Sequence, residues 1–143
     1  MKAKLVLAAK PKNVALARDW VFESCQQFGC KGKRLLDAKT ITSEIVTNVV
    51  KHAYCQNKKK NFVLKVKLNS NRLSIAVRDC GNGFRKNKSK SLHVGLVIVR
   101  SLADKVKIRS FGFGSQVKVI IVLKDSEVRK PLASRFSLAK LAK

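Results

Sequence analysis

The stretch Ser43–Val50, SEIVTNVV, decides how this chain folds. On a helix, Glu44 and Asn48 are four residues apart and project from one face, and Ile45 and Val49 lie on the opposite face. The carboxylate of Glu44 can accept a proton from an attacking hydroxyl or water, and the amide oxygen of Asn48 can help hold a magnesium ion. Such a pair is also typical of an ordinary solvated helix face, so its meaning depends on the rest of the chain.

Apolar spacing outward from this stretch predicts the other elements. Apolar residues at helical spacing occur in one segment before the quoted stretch and in one after it. Strict alternation of apolar and polar residues marks the strands, and two of these strands form an antiparallel hairpin around Asn69-Ser70-Asn71. A glycine- and lysine-rich loop is predicted over 80–93. The predicted helices cover 14–28, 37–53 and 94–103, and the predicted strands cover 4–9, 62–68, 73–77, 106–110 and 117–123.

These elements predict an α+β fold, a two-layer sandwich of a mostly antiparallel sheet with helices on one face. The other sheet face is then left free for water or a partner. We expect one domain over residues 1–124 and a basic amphipathic tail over residues 125–143, with Leu132, Phe136 and Leu138 among its apolar positions.

Charge is the unusual feature of the composition. The 143 residues include 32 Lys and Arg against 8 Asp and Glu, a formal net charge of +24. Such a field attracts polyanions, so nucleic acid is a candidate partner, although basic residues scattered along a chain are also typical of a solvated surface. Aromatic residues make up only 6%, which disfavours a single-strand binder that stacks bases.

Apolar run lengths and cysteine spacing narrow the protein class further. No apolar run is long enough to cross a membrane, and the apolar segment at the start is too short for a signal peptide, so we expect a soluble cytoplasmic protein with no membrane partner. Cys25, Cys30, Cys55 and Cys80 have neither zinc-ligand spacing nor a disulfide pattern, and we expect reduced, semi-buried thiols.

Two further motifs carry candidate chemistry. Asp79-Cys80-Gly81-Asn82-Gly83 ends a predicted strand, where glycines allow a tight bend and a carboxylate can accept a hydrogen bond from an exocyclic amine. The same residues are equally typical of an ordinary turn. Gly95 opens the third predicted helix, whose free backbone amides would form an anion site, unless it is simply a tolerated glycine.

The three motifs in this order resemble a known family. Ser43–Tyr54, Val77–Phe84 and Gly95–Val106 are similar to the N, G1 and G2 boxes of the GHKL ATPases, and the first of them is most similar to the anti-sigma-factor serine kinase branch. Gly114-Ser115 resembles the turn before that family's final strand. The likeness covers roughly residues 4–124 and implies the GHKL, or Bergerat, ATP-binding fold.

The resemblance also implies roles for individual residues, with ATP and magnesium as the cofactors. Glu44 would be the general base, Asn48 would ligate magnesium, and Asp79 would bind the adenine amino group. The other implied nucleotide-binding residues are Gly81, Gly83, Gly95, Leu96, Lys88 and Lys90. The implied ATP lid contains Arg85, Lys86, Lys88 and Lys90.

By resemblance, the protein is an anti-sigma factor and a serine/threonine kinase that phosphorylates an anti-anti-sigma protein and sequesters a sigma factor, with a homodimer left open. One departure is His93-Val94-Gly95, where the G2 box usually opens with two glycines; a side chain at position 93 could crowd the phosphates or, if protonated, pair with them. The alternatives are a non-catalytic regulatory module that binds a polyanion or acidic protein through its basic surface, and a switch protein that activates a phosphatase.

Overall fold

A computed structural model describes residues 1–53, 60–80, 90–111 and 114–129, without the side chains of residues 52, 53, 90–94 and 111. The described chain contains five strands and three α-helices, and a short π-helical segment extends the second helix. The elements are β1 (Lys2–Ala8), α1 (Lys12–Gln27), α2 (Lys33–Asn48), the π-helical segment (Val49–Ala53), β2 (Asn61–Asn69), β3 (Arg72–Asp79), α3 (Lys90–Leu102), β4 (Lys105–Phe111), β5 (Gly114–Val122) and a 3-10 turn (Asp125–Glu127).

The strands form one sheet in the order β1-β2-β3-β5-β4, and every neighbouring pair is antiparallel. The predicted hairpin is confirmed as β2 and β3, which pair from Phe62 opposite Asp79 to Asn69 opposite Arg72. Ser70 in the connecting turn has a φ of 55°, a left-handed conformation that a hairpin turn uses.

Helices α1, α2 and α3 pack on one face of this sheet, which confirms the predicted two-layer α+β architecture. The alternating positions of β2, β3 and β5 send every second side chain into the core, because successive residues of a strand face opposite sides. The fully buried core includes Val21 of α1, Ile41 and Ile45 of α2, Leu64 and Phe62 of β2, Ile75 of β3 and Val119 of β5.

Two predicted helix boundaries are wrong. Helix α2 begins at Lys33 and not at Asp37. Gly32, with a φ of 75°, has a non-helical backbone conformation directly before the helix, and Leu35 is already a buried residue of the helix. Helix α3 begins at Lys90, within the predicted loop, so Gly95 does not open it. In the sequence Leu92 precedes Leu96 by four residues, which extends the apolar periodicity of α3 toward its start.

A buried pair of thiols lies at the end of α1. Cys25 and Cys30 are both buried and free, while Cys80 is exposed and Cys55 lies outside the described residues. The hydrogen bond between the two buried thiols, together with burial, raises the pKa of Cys25 above its usual range. The same hydrogen bond lowers the pKa of Cys30, so Cys30 is the more readily ionised member of the pair.

The segment after β5 contacts the loop between α1 and α2. Val128 forms an isolated antiparallel bridge with Cys30, and the amide of Arg129 donates to the carbonyl of Gly29 at 2.7 Å. Residues 130–143, most of the predicted tail, lie outside the described residues, and the domain boundary at residue 124 stays a prediction. None of the described helices is long and apolar enough to span a bilayer.

One arginine ties three elements together. Arg34 of α2 donates to the carbonyl of Leu102 at 2.7 Å, to the carboxylate of Asp37 at 3.2 Å and to the carboxylate of Asp104. Asp104 in turn accepts from the amide of Val122 at 2.7 Å. The guanidinium therefore joins α2 to the end of α3 and to the end of β5.

Replacing this arginine should destabilise the fold. We expect Arg34→Met to lower the free energy of unfolding by about 2 kcal/mol, because two carboxylates and a carbonyl lose a charged donor at a largely buried position. Urea denaturation would measure it. Arg18→Met is the matched control, since the Arg18–Asp19 pair is largely exposed, and it should change stability by at most about 0.5 kcal/mol. Equal effects of the two substitutions would contradict the structural role given to Arg34.

Candidate active site

The Glu44–Asn48 pair of α2 faces Gly95 of α3. A methyl group added at Gly95 would lie 3.1 Å from Oε2 of Glu44, 3.2 Å from Nδ2 of Asn48 and 3.4 Å from Oδ1 of Asn48. Distances this short are tighter than ordinary van der Waals contact, so even the smallest side chain would push on both groups. The glycine therefore allows the two helices to approach at the carboxylate and the amide.

The polar atoms of this pair have few partners within the protein. Asn48 is 4% exposed, and its Nδ2 makes no hydrogen bond in the described part of the chain. Glu44 is partly exposed and takes part in none of the salt bridges found among the described residues. A buried amide without a partner costs free energy, so its persistence here is typical of a site that awaits a ligand.

Local helix geometry changes directly after this pair. Helix α2 passes into the π-helical segment at Val49, one residue beyond Asn48. Single π-helical turns inside α-helices occur frequently at functional sites, where they alter the direction of side chains. Thr42, one turn before the pair, is buried and bonds its hydroxyl to the carbonyl of Ala38 at 2.8 Å, so it belongs to the helix itself.

The donor set fits a magnesium ion that is shared with a ligand. Among the described residues, no group of three or more His, Cys, Asp or Glu side chains could hold a metal. Magnesium typically takes one or two protein oxygens and completes its shell with water and substrate phosphates. The amide oxygen of Asn48, which faces Gly95, could supply one such ligand, and the unpaired Nδ2 could donate a hydrogen bond to a phosphate oxygen.

A second polar centre lies where β3 ends. Asp79 is 1% exposed, and its Oδ2 accepts a hydrogen bond from the buried hydroxyl of Ser115 at 2.5 Å. Asp79 and Ser115 are directly opposite each other on β3 and β5. The hydroxyl therefore fixes one oxygen of the carboxylate and sets its orientation.

Gly114 makes this pairing possible. Its φ is 150°, and a Cβ at that position would lie 2.0 Å from the carbonyl oxygen of Asp79. No side chain can be accommodated at that distance without moving the backbone. The Gly114-Ser115 turn of the sequence thus provides close backbone approach at one residue and a hydroxyl partner at the next.

The predicted site residues differ in where they lie in the structure. Glu44, Asn48 and Gly95 come together, and Asp79 lies at the strand end as expected. Leu96 is partly buried and packs against the hydrophobic core. Lys90 is the first residue of α3, and its side chain is not described. Gly81, Gly83, Arg85, Lys86 and Lys88 lie outside the described residues.

The prediction that Gly95 opens the third helix and contributes a free amide to an anion site is wrong about the helix start. Since α3 begins at Lys90, the amide of Gly95 lies inside the helix, and only the first four amides of a helix lack an intrahelical partner. The contact that the structure gives Gly95 is with Glu44 and Asn48.

Ser115 was not among the predicted site residues. The signal that could have found it is the Gly114-Ser115 pair at the start of the last strand, because a hydroxyl there falls opposite the end of the neighbouring strand. Its identification required the pairing register of β3 with β5, which the sequence does not display.

These two centres define the class of protein. The two centres, Glu44 and Asn48 beside Gly95 and Asp79 beside Ser115, lie at the positions where the sequence resembles the boxes of the GHKL ATPases. The chain belongs to the histidine kinase-like ATPase domain family, whose model matches residues 7–121. The family resemblance found in the three sequence motifs is confirmed.

Curated relatives are similar over most of the chain. The serine-protein kinase RsbW of Oceanobacillus iheyensis is 25% identical, with 87% of this chain and 89% of that protein covered. The serine-protein kinase RsbW of Listeria innocua is 28% identical over 75% of this chain and 78% of that protein. The anti-sigma F factor of Clostridium perfringens is 33% identical over 58% of this chain and 59% of that protein.

Solved structures support the fold. The structure of the RsbU and RsbW domains of a Mycobacterium tuberculosis protein superposes with a TM-score of 0.71 at 19% identity, and it covers 86% of this chain. The present chain spans 32% of that longer polypeptide. The histidine kinase domain of a blue-light-activated kinase from Erythrobacter litoralis gives a TM-score of 0.52 at 21% identity over 63% of this chain.

Proposed function

We propose that this protein is an anti-sigma factor and a serine kinase, which binds ATP with magnesium, phosphorylates a serine of an anti-anti-sigma protein and sequesters a sigma factor. The family match and the names of the relatives, serine-protein kinase RsbW and anti-sigma F factor, support this proposal. The observation that carries it is the approach of Glu44 and Asn48 to Gly95, with a buried amide atom that has no partner.

In this proposal Glu44 acts as the general base. Its carboxylate accepts the proton of the substrate serine hydroxyl while the serine oxygen forms a bond to the γ-phosphorus of ATP. The bond between that phosphorus and the β–γ bridging oxygen breaks at the same time, and ADP is released. Glu44 is suited to this role because it is partly exposed, so a serine from outside can reach it, and because no salt bridge of the described residues occupies it.

Asn48 and Asp79 divide the binding of the nucleotide in the proposal. Asn48 would hold magnesium through its amide oxygen, and the bound ion would neutralise charge on the phosphates. Asp79 would accept a hydrogen bond from the adenine amino group in addition to the one that it accepts from Ser115. The remaining nucleotide-binding residues of the proposal are Gly81, Gly83, Leu96, Lys88 and Lys90, and Gly95 would let α3 lie close to Glu44 and Asn48.

The regulatory part of the proposal is a switch between two partners. When the anti-anti-sigma protein is phosphorylated, it no longer competes for the kinase, and the sigma factor is held. Phosphorylation suits this task because it adds nearly two negative charges to a serine and so changes the affinity of a protein interface.

The direct test is transfer of the γ-phosphate. The purified protein should transfer phosphate from ATP to one serine of an anti-anti-sigma protein encoded in the same genome, as measured by intact mass and by mapping of the phosphopeptide. It should also bind a sigma factor more tightly in the presence of the phosphorylated than of the unphosphorylated antagonist. Absence of transfer to every such antagonist, with ATP bound, would refute the kinase proposal.

Gly95→Ala separates the catalytic role of this position from a role in folding. Alanine normally favours a helix over glycine by about 1 kcal/mol, which offsets the cost of moving two side chains, so the free energy of unfolding should stay within about 1 kcal/mol of wild type. The methyl group must displace Glu44 and Asn48 by a few tenths of an ångström, and phosphate transfer should fall by roughly 10- to 100-fold. Transfer rates and urea melts would measure the two effects. Val97→Ala, at an exposed position of the same helix, is the control and should change neither.

A further inference from the structure

The sheet face opposite the helices is strongly basic. The strand positions that alternate with the core point to this face, and every charged side chain among them is a lysine or an arginine. We call this surface the basic sheet face. Its charged residues are Lys2 and Lys4 of β1, Lys65 and Lys67 of β2, Arg72 and Arg78 of β3, Lys118 of β5, and Lys105, Lys107 and Arg109 of β4.

Pairing registers place several of these cations directly opposite one another. Lys2 is opposite Lys67, Lys4 is opposite Lys65, and Lys107 is opposite Lys118. Like charges in opposite positions of an antiparallel sheet destabilise it. The salt bridges found in the described chain all involve Arg18 or Arg34, so no carboxylate there relieves the repulsion among these lysines.

A shallow cavity lies within the same face. Its volume is about 170 Å³, and it is lined by Lys67, Asn69, Arg72, Ser74, Lys118 and Ile120. Three cations, an amide and a hydroxyl around one concavity are the donor types that bind phosphate oxygens. The cavity therefore adds hydrogen-bonding groups to the charge of the face.

The side chains of the basic sheet face disfavour two kinds of partner, another protein chain and a lipid surface. A second copy of this chain would bring cations against cations. Protein interfaces usually need aromatic or large apolar anchors at their centre, and the described side chains of this face include only Val6, Val63, Ile120 and Val122 as large apolar residues and none that is aromatic. Insertion into a lipid surface requires a comparable apolar component.

A nucleic acid backbone fits these properties. Five strands about 4.8 Å apart give a face about 20 Å wide, and a duplex carries one charge per about 1.7 Å, so a length of that order presents on the order of ten phosphates. The described side chains of this face, none of which is aromatic, would contact phosphates and would not stack bases, so the binding would not depend on base sequence.

We propose that the basic sheet face binds the phosphate backbone of nucleic acid duplexes without regard to base sequence. This site lies on the side of the sheet away from Glu44 and Gly95, whose helices pack on the other face. The protein would thus combine a nucleotide site under its helices with a polyanion surface on its uncovered sheet.

The test compares two triple charge reversals. Lys65→Glu, Lys67→Glu and Lys118→Glu alter the basic sheet face, and Lys12→Glu, Lys31→Glu and Lys33→Glu alter exposed positions on the helix side by the same net charge. Fluorescence anisotropy with a labelled random-sequence DNA duplex of about 20 base pairs, at salt concentrations from about 50 to about 200 mM, gives affinity and salt slope. Duplex RNA and vesicles with anionic lipid are the parallel probes.

We expect the sheet-face variant to bind the duplex at least about tenfold more weakly than wild type and to lose about 3 units from the slope of log affinity against log salt, since each phosphate contact contributes about one. The helix-side variant should stay within about threefold of wild type. The sheet-face variant should unfold in urea no more readily than wild type, because the reversals place opposite charges across from Lys2 and Lys4.

Three results would overturn the proposal. The first is that the wild-type protein binds neither duplex. The second is that both variants lose duplex affinity equally. The third is that the protein binds vesicles more tightly than duplexes and that the sheet-face variant loses this vesicle binding. ATP binding should be equal in the two variants, so the outcome is separate from that of the proposed kinase function.

Discussion

Glu44→Gln should lower the rate of serine phosphorylation by about 10²- to 10⁴-fold, the range typical of losing a general base. Glutamine keeps the size of the side chain and its place beside Gly95, but its amide cannot take the proton of the attacking hydroxyl. ATP binding should stay within about threefold of wild type, because the proposal assigns the nucleotide to other residues. Single-turnover transfer and calorimetric titration would separate the two quantities.

Glu23→Gln provides the matched control for this experiment. Glu23 lies on α1 with an exposed side chain, so the substitution makes the same chemical change away from the site. Its transfer rate should equal that of wild type. A Glu44→Gln variant that transfers phosphate at the wild-type rate would remove the general base from the mechanism and leave Glu44 as a surface residue.

Asp79→Asn should weaken ATP binding by about 10- to 100-fold. The substitution turns one acceptor of the buried carboxylate into a donor, so either the Ser115 hydroxyl or the adenine amino group faces a donor in place of an acceptor, and a hydrogen bond to a charged group contributes about 1.5–3 kcal/mol. Titration calorimetry with ATP measures the loss. Asp125→Asn, at an exposed position after β5, should bind as wild type does.

A loss of fold would imitate this result, since Asp79 is buried. Urea melting of the Asp79→Asn variant therefore accompanies the titration, and Ser115→Ala serves as a second variant. It leaves the carboxylate intact and removes only the hydroxyl that orients it, so ATP binding should weaken less than in Asp79→Asn. Normal ATP affinity in a folded Asp79→Asn variant would contradict the adenine role.

Much of the fold was predictable because its signals are local. Alternation of apolar residues from Phe62 to Leu68 and from Leu73 to Val77 is a period-2 pattern that only a half-buried sheet satisfies, and both strands are confirmed. The limits of α2 and α3 were less predictable. Polar residues at both helix starts hide the periodicity, and Gly32 and Leu35 show their roles only in the folded chain.

The candidate site was also predictable only in part. The spacing of Glu44 and Asn48 places both on one helix face from local geometry alone, and the strand-end position of Asp79 follows from its sequence neighbours. The approach of Gly95 to the pair and the hydrogen bond from Ser115 to Asp79 join residues far apart in the chain. Those contacts depend on how α2 packs on α3 and on the register of β3 with β5, which no single segment encodes.

ATP binding with and without magnesium is the measurement that tests the central claim most directly. Calorimetric titration of the wild-type protein with ATP should show saturable one-to-one binding that weakens when a chelator removes magnesium, because the ion would link the phosphates to Asn48. A folded protein that gives no saturable heat with ATP and magnesium would contradict the claim that Asn48 and Asp79 form a working nucleotide site.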